Sequence, residues 1–534
     1  MQTPTAPPVP APVRAQLPPD SLTLRERWDR VRLQAWSWLL SSAHFLSSVS
    51  PAGWRLVTRT YHPVLERIAA EHARIACAFA ALDVPAYRHF VRQSATRPPK
   101  RLADFPETSK RGYVAAYDEA DRCQEGELRL RGTVVDESSG STGQPFNWAR
   151  GARELRGIYR NTACYTRAVF RSDKLFVLNA YSMGAWATGT TTGAAMARIA
   201  MVKNTGPDLD KIVDTLEHFG PRFDYLVTAY PPFAKHLRDR LDAIGFPWER
   251  YRISVLTGGE GMTEALRDYL EARFAKVRSG YGASDLTIGI GAETTFTVEL
   301  RRRLRSDQDL RDVLLGPSEQ RLPMIFHYNP LETFLEVNER GELLCTVNSK
   351  HCLQPKLRYN IGDEALLHPL ADVRRALRLD PARWREIQAR AGEERMGLPL
   401  LFLFGRKDST ISYMGANIYP QDVEYGLYDG NPMAAAINRF CLELEELADL
   451  ESRPVVNVEL RDGAGLDETG RAELAETCRA GVLAHLARVS RDFAQSLEED
   501  PASADLRVRV HEPGQGPFAG LGKLKNTYLT GTRR

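Results

Sequence analysis

Between Lys174 and Val277 short apolar runs alternate with amphipathic stretches, and this alternation restricts the fold more than any other feature of the chain. "KLFVLNAY" (Lys174–Tyr181), "YLVTAY" (Tyr225–Tyr230) and "ISVLTGGE" (Ile253–Glu260) are apolar runs that end on small or aromatic residues. A strand that is apolar throughout, rather than at every second position, is covered on both faces. "PPFAKHLRDRLDAI" and "MTEALRDYLEARFAKV" lie after such runs and have helical spacing. Strand–helix–strand order of this kind predicts an α/β core, a largely parallel sheet with flanking helices. Ligands in such sheets sit beyond the carboxyl ends of the strands, and the Gly-, Ser- and Thr-rich turns fall there.

The flanks differ in texture. Residues from about Ser21 to Tyr117 read as helical, with "YHPVLERIAAEHARIACAFAAL" the clearest amphipathic run. From Leu400 onward, "LFLFGRKDSTISYMGANIYPQDVEYGLY" predicts a strand, a polar turn, a second strand and a helix. An acidic helix, a strand at "RPVVNVEL", a long Ala-rich helix over Glu468–Leu497 and a strand at "LRVRVHE" are expected after it. This is the pattern of a separate small α+β domain of roughly 125 residues. The expected order is a disordered Pro-rich tail over 1–20, a large domain over 21–407 that is mostly helical to residue 117, and a small domain over 408–534.

Composition narrows the class. The chain has 534 residues, 43% of them hydrophobic, enough for a large core, and 71 basic residues balance 68 acidic ones, so bulk charge gives no case for nucleic-acid binding. The "RRRLR" run (Arg301–Arg305) reads as a solvated helix face. Seven scattered cysteines show no C-x-x-C and no paired ligand spacing, so Cys345 and Cys352 read as free thiols in and beside a strand. Their usage suggests a reducing compartment, and a cytoplasmic protein is expected. The first twenty residues lack the apolar core of a signal peptide. "WSWLLSSAHFLSSVS" (Trp36–Ser50) is uncharged but too short and Ser-rich to span a bilayer. It reads as a core or capping helix, with weak contact at a membrane surface as the alternative.

One stretch asks for a chemical explanation. In "DESSGSTGQPFNW" (Asp136–Trp148), Ser138, Ser139, Gly140, Ser141, Thr142 and Gly143 run together. "TVV" before it reads as a strand end, and "ARELRGIYRNTACYTRAVF" after it reads as a helix. Glycines let backbone N–H groups converge on an anion, and hydroxyls and a helix N-terminus add to the attraction. A flexible linker is the alternative. The stretch is no Walker A loop, because Gln144 and Pro145 follow Gly143 where that motif needs Lys and Ser or Thr.

Five further motifs follow in order: "TGGEGM" (Thr257–Met262), "YGASD" (Tyr281–Asp285), "RYNIGDEALL" (Arg358–Leu367), "GRKDSTISYMGANIYPQDVE" (Gly405–Glu424) and "GLGKLKNTYL" (Gly520–Leu529). With "SSGSTGQPF" they resemble the adenylate-forming superfamily of acyl-CoA synthetases, luciferase and adenylation domains. "FPETSKRGYVAAY" (Phe105–Tyr117) and "AYSMGAWATGTTTGAAMA" add a similarity to the phenylacetate–CoA ligase group. The resemblance runs from about Leu102 to Tyr528.

It implies ATP-dependent activation of a small or aromatic carboxylic acid to an acyl-adenylate, then transfer to CoA or a carrier-protein thiol. By this resemblance Ser139–Gly143 holds the β- and γ-phosphates. The backbone at Gly259, Glu260, Gly282, Ala283 and Ser284 encloses adenine, with Tyr281 as a stacking face. Asp363 accepts the ribose hydroxyls and Arg406 reaches the ribose or α-phosphate. Asp285 stands where the family has Glu, and binds Mg²⁺ with one methylene less reach. Asp408 matches the hinge about which the small domain moves. Lys523, or Lys525 two residues on, matches the lysine that bridges carboxylate and α-phosphate. Tyr181, Met183, Trp186 and Tyr230 suggest an aromatic-lined acid pocket. The stretch "LTIGIGAETTFTVELRRRLRSDQDLRDVLLG" after Asp285 departs from the pattern. Two other readings stand beside this one. The adenylate of the acid, or of an oxyanion such as nitrite, passes to an amine or other nucleophile without a thioester; or the chain is a nucleotide-binding regulator without turnover.

Overall fold

A computed structural model describes residues 22–48, 50–95, 97–137, 146–184, 187–259, 261–317, 321–391, 396–406, 411–413, 416–446, 452–490 and 504–519, with single residues at 17, 319, 493, 494 and 497. Two compact units are built from interleaved chain. Unit 1 takes Met1–Asp136, Asn147–Gly157 and Asn329–Ile361; unit 2 takes Glu137–Phe146, Ile158–Tyr328 and Gly362–Arg534.

Unit 1 opens with helices α1 (Leu24–Ser48), α2 (Pro51–Arg59), α3 (Pro63–Asp83) and α4 (Pro85–Ser94). Prolines start three of them, at the position where a helix has no use for the missing N–H. Short strands β1 (Thr108–Ser109), β2 (Thr133–Glu137) and β3 (Asn147–Gly151) follow, and β2 pairs with β3. The helix read at "ARELRGIYRNTACYTRAVF" is α5 (Ala152–Val169), and before it stands β3, a strand that the sequence reading did not include. The cause is local burial: Trp148 lies 3.7 Å beneath Lys356 Nζ, and Arg150 Nε donates to Asp136 Oδ2 of β2 at 3.0 Å.

From there the expected alternation holds in unit 2: β4 (Leu175–Asn179), α6 (Ala187–Met196), β5 (Met201–Asn204), α7 (Leu209–Phe219), β6 (Asp224–Ala229), α8 (Pro231–Ala243), β7 (Arg252–Gly258), α9 (Glu264–Glu271) and β8 (Lys276–Tyr281). The strands are parallel in the order β5-β4-β6-β7-β8. Leu178, Val227, Val255 and Val277 are fully buried, as strands covered on both faces must be. The helical reading of "MTEALRDYLEARFAKV" overruns: α9 stops at Glu271, because the chain from Lys276 pairs with β7.

Antiparallel strand β9 (Gly291–Ala292) joins β8, and α10 (Thr295–Ser306), α11 (Gln308–Leu314) and β10 (Met324–Tyr328) come next. The chain re-enters unit 1 for β11 (Thr333–Val337), β12 (Glu342–Val347) and the first residues of β13 (Tyr359–His368). The later residues of β13, with α12 (Leu370–Arg378), α13 (Pro381–Ala391) and β14 (Leu400–Arg406), belong to unit 2, where β14 lies between β13 and β10.

The C-terminal part has its own sheet and core. A hairpin of β15 (Ile411–Tyr413) and β16 (Ala416–Ile418) precedes α14 (Pro420–Tyr428), β17 (Ile437–Glu446), β18 (Ser452–Leu460), α15 (Glu468–Val489) and β19 (Arg507–His511). The order β17-β18-β19 packs with both helices around Val423, Phe440, Val458, Leu474 and Leu486. The mixed α/β class with a separate C-terminal sheet is the expected one. The acidic helix is not. Its residues form β17, since Phe440 and Leu442 alternate inward while Glu443 and Glu445 meet Asn457 and Arg453 of β18.

Two sequence expectations about helix faces also fail. Arg301 of the arginine run is 3% exposed, and its Nη1 donates to Glu264 Oε1 at 2.7 Å. Trp36 and Trp38, expected in a core or capping helix, are 52% and 59% exposed on α1. All seven cysteines are free thiols, with Cys345 inside β12 as expected. Among the described residues no helix is long and apolar enough to cross a membrane.

Candidate functional site

The carboxyl ends of β4, β6, β7 and β8 are level, with Asn179 opposite Thr228, Ala229 opposite Thr257 and Thr257 opposite Ser279. Each strand releases one predicted residue just past its end: Tyr181, Tyr230, Gly259 and, as the last residue of β8, Tyr281. Tyr181 and Tyr230 meet edge to face at 5.1 Å, and Tyr181 Oη donates to the Leu256 carbonyl at 3.3 Å. Burial pushes the Tyr181 phenol well above its ordinary value, so it acts as a neutral donor. Gly259 has φ +83, and a Cβ there would fall 2.7 Å from Tyr230 Cε1. Only glycine fits between that ring and the turn.

Tyr281 and Asp363 come together from 82 positions apart. Tyr281 Oη donates to Asp363 Oδ2 at 2.7 Å, and both residues are buried. The Tyr281 ring lies 5.8 Å from Phe326 of β10 at 31° between planes. Arg406 stands directly opposite Asp363 in the β13–β14 ladder. The turn after Tyr281 closes tightly: Ala283 N donates to the Thr287 carbonyl and Leu286 N to the Ala283 carbonyl. A Cβ on Gly282 would meet Thr287 O at 2.9 Å and Gly289 N at 3.0 Å. Ser284 and Asp285 ride on this turn, Asp285 at 7% exposure. Met183 follows Tyr181 in the segment leading to α6, half-buried.

Among the described residues no group of three or more His, Cys, Asp or Glu could hold a metal ion. A lone buried carboxylate such as Asp285 still fits Mg²⁺, which keeps waters and takes one or two carboxylates beside substrate phosphates. The other predicted residues lie outside the described ones: Ser138, Ser139, Gly140, Ser141, Thr142, Gly143, Trp186, Glu260, Asp408, Lys523 and Lys525. For Arg406 the backbone position alone is described.

Sequence reasoning missed the polar supports. Asn179 Nδ2 donates to Gly189 O (2.8 Å) and Asn204 Oδ1 (2.9 Å), and its Oδ1 accepts from Thr228 Oγ1 (2.9 Å). This satisfied amide ties β4, β5, β6 and α6 below the tyrosine pair. Thr257 and Ser279 share a 2.7 Å hydroxyl contact between β7 and β8. Glu293 accepts the Ser279 N–H at 2.7 Å and Arg267 Nη2 at 2.7 Å. Arg267 also donates to Glu264 Oε1 and the Val277 carbonyl. Burial raises the Glu264 carboxyl, but Arg267, Arg301 and Arg302 outweigh it and bring it down to about 2. In unit 1, the strands bracketing the Ser/Thr/Gly loop carry Asp136, Trp148 and Arg150, and burial lowers the Lys356 ammonium above Trp148 to about 7. Lys356 stands in "QPKLRYNIGD", two residues before the fourth motif, the one signal that could have drawn notice to it.

No family model matches the sequence, and no curated protein matches it. Solved structures do share its fold. One is 2-hydroxyisobutyryl-CoA ligase in the postadenylation state with R3-HIB-AMP, 14% identical, with a TM-score of 0.60 over 89% of this chain and 91% of that one. A second structure of that ligase, with 2-HIB-AMP, is 15% identical with a TM-score of 0.57, over 85% and 88% of the two chains. The fold is therefore one found in AMP-forming ligases.

Proposed function

We propose that this chain is an AMP-forming ligase that activates a small or aromatic carboxylic acid with ATP. The carrying observation is the Tyr281–Asp363 pair at the carboxyl end of the parallel sheet, beside two glycines that leave no room for a side chain. Asp363, oriented by the Tyr281 hydroxyl, accepts the ribose hydroxyls. The Tyr281 ring, backed by Phe326, offers its other face to adenine. Gly259 and Gly282 let backbone approach the base. Tyr181, Met183, Trp186 and Tyr230 form the acid pocket. The fold shared with a ligase whose structures hold acyl-AMP supports the same reading.

The acid's carboxylate oxygen bonds to the α-phosphorus as the bond to the β-phosphate bridging oxygen breaks, and pyrophosphate leaves. Ser139–Gly143 holds the departing phosphates through N–H and hydroxyl donors. Lys523, or Lys525, lies between carboxylate and α-phosphate. Asp285 would hold Mg²⁺, which neutralises phosphate charge. Asp408 is the hinge that carries the small domain, 408–534, away before a thiol of CoA or a carrier protein takes the acyl group. The reaction belongs to the cytoplasm.

The test is pyrophosphate exchange over a panel of acids, nitrite included, with product analysis with and without CoA. Acid-dependent exchange is expected; ATP binding without exchange for any acid leaves the regulator reading standing. Asp363→Ala removes two charge-assisted hydrogen bonds of roughly 1.5–3 kcal/mol each and should weaken ATP and AMP binding by orders of magnitude. Equal use of 2′-deoxy-ATP by the wild type would refute the ribose assignment. Lys523→Ala should slow exchange by ~10²–10³ while ATP affinity holds. Lys525→Ala is the control that fixes the register.

A further inference from the structure

Helix α1 is folded inside out. At about 100° per residue, Glu26, Arg30, Leu33, Ser37 and Ser41 share one face, and that face meets the protein. Arg30 Nε donates to Asp83 Oδ1 of α3 at 2.8 Å, Ser37 is 5% exposed, and Ser41 Oγ lies 3.4 Å from His72 Nε2. The opposite face carries Leu24, Trp28, Val31, Ala35, Trp38 and Leu39. Leu24 is 77% exposed, Trp28 75%, Val31 57%, Trp38 59% and Leu39 52%. Among the described residues, nine of the sixteen exposed large hydrophobic ones fall between Leu24 and Ile68. A helix in water normally turns its apolar stripe inward; here the polar stripe is inward, and turning the helix over would break Arg30–Asp83.

The charges around this face are mostly positive, with Asp29, 3.0 Å from Arg32, the carboxylate among them. Arg25 and Arg32 flank the stripe on one side and Arg27 on the other, all exposed. Over residues 22–70, Arg55, Arg59 and Arg67 are exposed as well, while Glu26, Asp29 and Glu66 are each half-buried. We propose that α1 docks this protein onto an anionic membrane surface, lying in the headgroup layer with its tryptophans toward the acyl chains. Tryptophan pairs an apolar ring with an N–H donor and prefers that layer. A stripe of Trp and Leu between rows of arginine is the composition of an interfacial helix. A second copy is the poorer occupant, because two such faces would bring arginine against arginine.

The experiment uses the full chain and sedimentation with vesicles of phosphatidylcholine, alone or mixed with phosphatidylglycerol. Binding is expected to the mixed vesicles, weaker in high salt, with tryptophan emission quenched by brominated lipid. Trp28→Ser with Trp38→Ser should weaken partitioning roughly tenfold or more for each tryptophan. Pyrophosphate exchange in solution stays a separate readout, so loss of docking is not confused with loss of activity. Arg25→Glu with Arg27→Glu is the second variant, and should abolish the preference for the anionic lipid while the apolar face stays intact. No binding to either vesicle overturns the proposal. So does equal binding by both variants, which would place the contact elsewhere. A lipid-free dimer that Trp28→Ser with Trp38→Ser turns into a monomer would make the face a contact between copies.

Discussion

Helices α10 and α1 break the same rule in opposite directions. α10 carries five consecutive positions with four arginines, yet Arg301 is buried against Glu264 and the Met262 carbonyl, and Arg302 reaches Glu264, Asp268, Glu271 and Glu299. α1 carries the most exposed tryptophans of the described chain and buries Ser37. The difference lies in available partners. Carboxylates on α9 receive the arginines of α10, so the charge that goes inside is paired. Asp83 and His72 on α3 receive the polar residues of α1, so its apolar face is left outward. Composition alone distinguishes neither case; the partner across the interface decides.

Removing a partner should hurt where the pair is internal. Arg301→Ala leaves Glu264 with less compensation in a dry site and should cost about 3–5 kcal/mol in urea unfolding. A loss below 1 kcal/mol would put the α10 network on a par with surface pairs.

A titration probes the same place from the other side. Glu424 of α14 accepts the Thr263 N–H at 3.2 Å, and burial pushes its carboxyl from 4.5 up to about 7. A carboxyl that holds its proton more tightly when folded contributes stability that is complete below pH 4.5 and is lost as pH rises through 7. The wild type should lose up to about 3 kcal/mol across that window, and Glu424→Gln should flatten the profile. A slope of the opposite sign would mean the carboxylate is the favoured form there.

Arg305 sharpens the comparison within one helix. It meets Tyr425 Oη at 3.3 Å and Asp268 at 3.7 Å but is 39% exposed, so Arg305→Ala should cost below about 1 kcal/mol. The smallest effect is expected on α1. Trp28→Ser with Trp38→Ser should leave unfolding within about 0.5 kcal/mol per site. A large destabilisation would show that the face is covered within the chain after all.

The parallel core was legible because its strands are apolar throughout and its helices periodic. The strand β17 was not: "CLELEE" has the charge of a helix, and only Phe440 and Leu442, alternating against β18, reveal the period of two. Of the motifs read in order, "YGASD" falls where β8 ends and "RYNIGDEALL" falls in and before β13, whereas the Ser/Thr/Gly loop and "GLGKLKNTYL" lie outside the described residues. The pairings within the site were not legible. Tyr281 and Asp363 stand 82 positions apart, and no local spacing links them. The burial of Arg301 depends on Glu264, 37 positions before it, and is equally silent in the run that contains it. Helix faces can be read from period, but which face turns inward is set by residues elsewhere in the chain.

The interleaving of the two units also bears on how the polypeptide is made. Unit 1 needs Asn329–Ile361, which follow almost all of the parallel core of unit 2 in the order of synthesis. At 5–20 residues per second, the roughly 170 residues between Gly157 and Asn329 take about 10–30 s to emerge from the ribosome. Throughout that interval α3 lacks Asn348, whose Nδ2 will donate to the Ala69 carbonyl, and Thr108 lacks its acceptor at Leu357. The N-terminal helices are therefore born first and finished late. A nascent chain that ends before Asn329 leaves the Ala69 carbonyl of α3 and the Thr108 hydroxyl without these partners.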